Sequence, residues 1–129
     1  MAQFMKPYGS HTYALMRIIF GLLFMSHGLQ KIVGLFGGVP AEAPALVVYG
    51  AGGIELVAGA LIAAGLLTRW AAFIASGEMA VAYWMGHGTH AFHPLVNKGE
   101  LAVLYCFAFL FIAAHGAGIW SVDGTRGEG

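Results

Sequence analysis

An all-α fold, an antiparallel bundle of four membrane-crossing helices, is the class this sequence predicts, and three observations carry it. Of its 129 residues, 59% are hydrophobic and only 9% charged, with a mean hydropathy of +0.76. A soluble domain of this size needs about 25% charged residues to wrap its surface. The apolar residues fall into four runs separated by short polar or Gly/Pro-rich breaks. The cleanest run, LVVYGAGGIELVAGALIAAGLL from Leu46 to Leu67, spans roughly 33 Å as a helix, enough to cross a bilayer's hydrocarbon core.

Residues 1–12 form a short tail interrupted by Pro7 and Gly9. The first span covers about residues 13–35. It contains Arg17 early and has no small-residue cleavage site in a leader's position, so it is expected to be retained rather than removed. Two glycines and two prolines in GGVPAEAP, Gly37 to Pro44, make a loop. The second span covers about 46–67. Thr68-Arg69 then leaves room only for a helical hairpin, and the third span covers about 68–86, short enough to need tilt or local thinning of the bilayer. The loop GHGTHAFHPLVNKG, Gly86 to Gly99, is followed by a fourth span over about 100–120 and a polar tail, SVDGTRGEG. No internal repeat is evident, and residues 1–129 read as one domain.

Four spans return the chain to the side on which it began. That side holds Lys6, Arg17, Arg69 and Arg126 against Lys31 and Lys98 on the other, so the positive-inside rule puts the termini in the cytoplasm, across a bacterial-type inner membrane. Trp70, Trp84 and Trp120 fall near predicted helix ends, as interfacial anchors do. A net charge of zero with no long run of one sign gives no grip on nucleic acid. Cys106, the sole cysteine, lies in an apolar run and cannot form an intrachain disulfide or a Cys/His zinc site.

Charged residues inside such spans are costly and need partners. At 100° per residue, Arg17, His27 and Lys31 lie within about 80° of one another on the first span, with Gly21 and Gly28 beside them, so this face looks into the bundle and lets a neighbour approach closely. Gly52, Glu55 and Gly59 share about 60° of the second span. Ala71, Ala75, Glu78, Ala82 and Met85 make one stripe of the third. Counted from the cytoplasmic side, Arg17 lies roughly 6 Å deep, Glu78 roughly 13, Glu55 roughly 18, His27 roughly 21 and Lys31 roughly 27. Arg17 is thus expected to reach Glu78, His27 to lie level with Glu55, and Lys31 to sit near Glu100. Two readings remain open: a buried ion-pair network of Arg17, Glu55 and Glu78 that sets helix register, or catalytic proton exchange between Glu55, His27 and a bound redox molecule.

No metal site is expected. His87, His90 and His93 recur at steps of three, but Gly86, Gly88 and Pro94 argue against a helix there and no Cys or Asp completes a ligand set. A haem between His27 and His115 fails on depth, roughly 21 Å against roughly 7 Å.

The segments RIIFGLLFMSHGLQKIVG (Arg17 to Gly34), GGIELVAGALIAAGLLTRWAAFIASGEMAVAYWM (Gly52 to Met85), NKGELAVLYCFAFLFIAA (Asn97 to Ala114) and WSVDG (Trp120 to Gly124) together resemble the DoxX family of small four-helix membrane proteins. The matching positions are Arg17, His27, Gly28, Lys31, Glu55, Thr68, Arg69, Glu78, Asn97, Glu100 and Asp123; His90, His93 and His115 fall outside the pattern. The resemblance implies association with membrane redox systems, in which some relatives are linked to quinone-dependent oxidation of sulfur compounds or to quinol oxidases and others to oxidative-stress defence.

The functional expectation is an inner-membrane subunit of a respiratory or other redox system that contacts a quinone or quinol, or supports a partner oxidoreductase. His27, Lys31, His87, Asn97 and Glu100 would hold the head group. No flavin or nucleotide motif, Fe–S cysteines or paired haem ligands are present, so no intrinsic cofactor is expected and electrons would come from a partner; the chain is not expected to be catalytic alone. The alternatives are a non-catalytic accessory subunit that scaffolds a larger membrane complex and a small proton-coupled transporter using Glu55 and Glu78. Lipid, redox subunits and a second copy of the chain are the expected partners.

Overall fold

The computed structural model describes residues 3–88 and 90–128, so Met1, Ala2, Thr89 and Gly129, which belong to the predicted tails and the long loop, lie outside the described residues. Six α-helices and no strand occur among the described residues: α1 (Gly9–Ile32), α2 (Gly52–Ala64), α3 (Thr68–Tyr83), α4 (Pro94–Asn97), α5 (Glu100–His115) and α6 (Val122–Thr125). A π-helical stretch, Leu46–Ala51, runs straight into α2, and another, Trp84–Gly88, continues α3. By length and hydropathy, the helical segments Lys6–Ile32 and Leu46–Ala64 suffice to cross a membrane; Glu100–His115 is apolar but shorter.

Element ends differ from the sequence-based spans where glycine or strained backbone intervenes. The first helix starts at Gly9 rather than near residue 13, and stops at Ile32 before Gly34, whose φ is +82°. The second stops at Ala64 because Gly65 takes the left-handed conformation that closes a helix (φ 72°, ψ 38°). Leu67 is also left-handed, so the hairpin is Gly65 to Leu67, and Thr68 and Arg69 are the first residues of α3. The fourth span ends at His115, not Trp120. Gly116 (φ 100°) and Gly118 (φ 72°) turn the chain back across the end of the bundle, leaving Trp120 in that loop.

The α1–α2 contact is glycine on glycine. A Cβ on Gly21 would lie 2.5 Å from the amide nitrogen of Ala63 and 2.8 Å from the Gly59 carbonyl. One on Gly28 would lie 2.7 Å from the Gly52 carbonyl, and one on Gly59 would lie 2.7 Å from the Gly21 carbonyl. Gly21 opposes Gly59 and Gly28 opposes Gly52, so the seven-residue spacing on each helix makes one continuous antiparallel seam. The α3–α5 contact also uses small residues: Ala71, Ala72 and Ala75 are buried, and the Ser76 hydroxyl donates to the Cys106 carbonyl at 2.7 Å. Phe24, Tyr105 and Phe109 fill the centre between the helix pairs, with ring centroids 4.7 to 5.4 Å apart. Many of the other large apolar residues point outward; Leu15, Phe73, Leu104 and Phe107 are each more than half exposed. Small residues at the helix contacts and so many large apolar residues on the outer surface suit lipid rather than water as the surrounding solvent.

One end of the bundle is closed by polar groups that satisfy helix termini. Arg17, fully buried, donates from Nε to the Ile62 carbonyl in the last turn of α2 (3.1 Å), and from its terminal nitrogens to the carbonyls of Ala117, Ile119 (3.0 Å) and Trp120 (2.6 Å). Arg69 donates to the carbonyls of Ala113, Ala114 and His115 at the end of α5, where orphan carbonyls and the negative end of the helix dipole favour a cation. The expected Arg17–Glu78 pairing is therefore corrected. The loop after α5 folds back to present the carbonyls of Ala117, Ile119 and Trp120 to Arg17, and α1 side chains lean toward the helix N-terminus, which aims Arg17 at this end.

Asp123 completes the closure by accepting from the amides of Leu67 (3.0 Å) and Thr68 (2.9 Å) at the start of α3. Burial opposes its charge, but the hydrogen bonds from Thr68 and Leu67, with Arg126 nearby, hold its carboxyl below the usual range. A depressed carboxylate stabilises the fold fully above its unfolded pKa, about 3.9, and the contribution fades as pH falls through the lower folded value. Asp123→Ala should cost about 1–2 kcal/mol at pH 7, the range for losing an N-terminal cap. Unfolding of wild type and variant in detergent, followed by circular dichroism at pH 7 and pH 3, should show the gap narrowing at the lower pH; a gap independent of pH would contradict the assignment.

Candidate functional site

The opposite end of the bundle is open. A cavity of about 750 Å³ lies among α1, α2, α3 and α5. Leu46, Val47, Ile54, Val81, Met85 and Leu101 give it apolar walls, while His27, Lys31, Glu55, Glu78, His87 and Tyr105 bring polar groups to it.

The polar centre is an ion pair between Lys31 Nζ and Glu55 Oε1 at 2.6 Å, the lysine side chain 18% and the glutamate 2% exposed. These residues stand about six positions apart in level along the antiparallel seam, roughly 9 Å. In antiparallel helices each side chain leans toward its own N-terminus, so Lys31 leans inward and Glu55 outward, and they meet. Glu78 lies beside Glu55, and its Oε1 is shielded from solvent with no hydrogen-bond partner among the described residues. Two carboxyls thus face one ammonium. With Lys31 charged and His27 neutral, the cluster is neutral when the two carboxyls hold one proton between them.

Sequence-predicted residues divide cleanly. His27 lines the cavity, half-buried, edge-on to Tyr105 with ring centroids 5.8 Å apart, but Glu55 takes Lys31 rather than His27 as its partner. Lys31 consequently serves Glu55 and not Glu100. His87 reaches the cavity, its Nδ1 lying 3.1 Å from the Asn97 carbonyl oxygen. Asn97 does not line it. That side chain is buried in the loop it organises, donating to the Tyr83 hydroxyl and the Ala91 carbonyl (2.9 Å each) and accepting from the Gly99 amide at 2.8 Å. Glu100 is exposed on the first turn of α5 and also lies outside the lining. The proposed network of Arg17, Glu55 and Glu78 is split: the glutamates sit together here and Arg17 at the far end.

The remaining histidines stand elsewhere. His93 accepts from the Leu95 amide at 3.1 Å as the cap of α4, His90 is exposed, and His115 stacks on Tyr13 at the closed end with centroids 4.0 Å apart. Two lining residues, Lys98 and Tyr105, escaped the sequence reading. Tyr105 carried a usable signal as a hydroxyl in an otherwise apolar run. Lys98 carried none, because its position follows from a left-handed turn (φ 62°) after α4.

A family model described as DoxX matches residues 12–88, a stretch that contains His27, Lys31, Glu55, Glu78 and His87. An uncharacterized protein of Haemophilus influenzae is 39% identical over 126 residues, covering 92% of this chain and 93% of that protein. No solved structure matches the chain.

Proposed function

The chain belongs to the DoxX family and is thereby a membrane protein, and from that premise we propose that its cavity holds the head group of a quinone or quinol within an inner-membrane redox system. In this reading α1, α2, α3 and α5 all cross the bilayer. The closed end, with Arg17 and Arg69, faces the cytoplasm together with the termini, and the cavity opens in the outer half.

The observation that carries the proposal is Glu78 Oε1, a shielded oxygen with no partner among the described residues, set beside a buried ion pair in an otherwise apolar cavity. A buried polar atom without a partner costs about 1–3 kcal/mol, and a ligand hydroxyl removes that cost. Lys31 donates to a ligand carbonyl from the same cluster, and His27 and Tyr105 bound the ring. When a quinol is oxidised, its protons pass to the Glu55–Glu78 pair and His27 while its electrons go to a partner oxidoreductase. The chain's own part is to bind, orient and move protons.

Purified protein in nanodiscs should bind a quinone analogue in a titration, and Glu78→Gln and Lys31→Met should each weaken that binding about tenfold, the worth of one charge-assisted hydrogen bond. Failure of the wild type to bind, or equal binding by both variants, would overturn the reading. Normal assembly and respiration of both variants would favour the scaffold instead.

A further inference from the structure

The route into the cavity is legible at the ends of α2 and α3 away from their connecting turn, an inference that rests on the head-group reading above. The two helices are tied by the Gly65–Leu67 turn at the closed end. At the other end both give way to π-helical backbone, Leu46–Ala51 before α2 and Trp84–Gly88 after α3, a geometry that recurs at functional sites. The seam between these stretches has little bulk at its edges: Gly50 and Gly86 both line the cavity, a Cβ on Gly86 would meet nothing within 4 Å, and one on Gly50 would meet only the side chain of Leu46, at 3.1 Å. Its lips are apolar and face both ways. Leu46 (75% exposed) and Ile54 on one side, and Val81 and Met85 (69% exposed) on the other, line the cavity while lying on the outer surface.

We propose that this seam is a lateral portal to the bilayer, and that the ligand is a membrane-dissolved amphiphile whose head rests on Lys31, Glu55 and Glu78 while its hydrocarbon tail leaves between Leu46 and Ile54 of one lip and Val81 and Met85 of the other. His87 and Lys98 also line the cavity, but the lips between α2 and α3 are hydrocarbon, as a route from the bilayer rather than from water needs. The volume also fits. Pockets of roughly 300–1,000 Å³ enclose drug-sized molecules, so the cavity has room for a ring and the first part of a chain, and the rest must lie outside.

The test compares a tailless benzoquinone with the same ring carrying a ten-carbon tail, in nanodiscs, with concentrations referred to the bilayer. Gly86→Trp and Gly50→Trp fill the seam and leave the polar cluster untouched. Each is expected to weaken the tailed ligand at least tenfold and the tailless ring less than twofold. Equal affinity of wild type and both variants for the tailed ligand overturns the portal, and so does an equal loss for both ligands, which would place the tryptophan in the head-group site. If neither ligand binds the wild type, the quinone reading fails and a second measurement decides the portal. A phospholipid with a diazirine on its acyl chain should then label Ala82 and Ala102 inside the wild-type cavity but not in the Gly86→Trp protein, and absence of that labelling in the wild type overturns the portal too.

Discussion

Replacing Gly28 by leucine should separate α1 from α2 and unfold the protein at markedly lower denaturant than the wild type, with a loss of about 3 kcal/mol or more, the upper range for overpacking. The cause is contact with backbone rather than with side chains. At Gly28 even a Cβ would lie 2.7 Å from both the Gly52 carbonyl oxygen and the Leu56 Cα. A side chain can rotate away from an intruder, whereas a helix backbone can only move as a body, which breaks the whole seam at Gly21 and Gly59 as well. The comparison is Gly53→Leu, one residue along α2 from Gly52, where a Cβ would meet nothing within 4 Å. That variant should unfold near the wild-type midpoint, since leucine favours a helix over glycine. Loss of helical ellipticity during SDS titration measures both; equal midpoints for Gly28→Leu and Gly53→Leu would refute the seam.

Arg17→Met should cost about 3–5 kcal/mol, the range for leaving buried groups without their charged partner. The methionine fills much of the volume but donates nothing, so the carbonyls of Ile62, Ala117, Ile119 and Trp120 lose their shared donor. Arg17→Lys should recover only part of the loss, because an ammonium lacks the planar fork that serves several carbonyls at once. A double-mutant cycle sharpens the test. If Arg17 bonds backbone and not Glu78, the effects of Arg17→Met and Glu78→Gln on the unfolding midpoint add; coupling beyond about 0.5 kcal/mol would restore the ion pair expected from depth alone.

That contrast shows how far residue order carries. Helix phase put Arg17, His27 and Lys31 on one face of α1 with Gly21 and Gly28, and Gly52, Glu55 and Gly59 on one face of α2, and these faces do meet. Depth counted along the axis then chose the wrong partners. It sets Lys31 near Glu100 and His27 level with Glu55, because counting rise per residue ignores the lean of each side chain toward its own N-terminus. The lean brings Lys31 and Glu55 together across more than a helical turn. Asn97 was misread for a different reason: its amide looks like a ligand group in a polar loop, but the loop's own backbone consumes it.

By itself, the sequence determined that this chain is helical and suited to lipid, where the helices run to within a few residues, and which polar side chains turn inward. These follow from local quantities: hydropathy, the period of the helix, and glycine where backbones must touch. Only the tertiary structure decided which inward groups are partners. It closed one end with Arg17, Arg69 and Asp123 on orphan helix termini, and left Glu78 Oε1 without a partner among the described residues, beside Lys31 and Glu55 at the other. Pairing depends on the direction and reach of side chains and on a loop, Gly116 to Ser121, that folds back from far along the chain, and neither is a property of any local stretch.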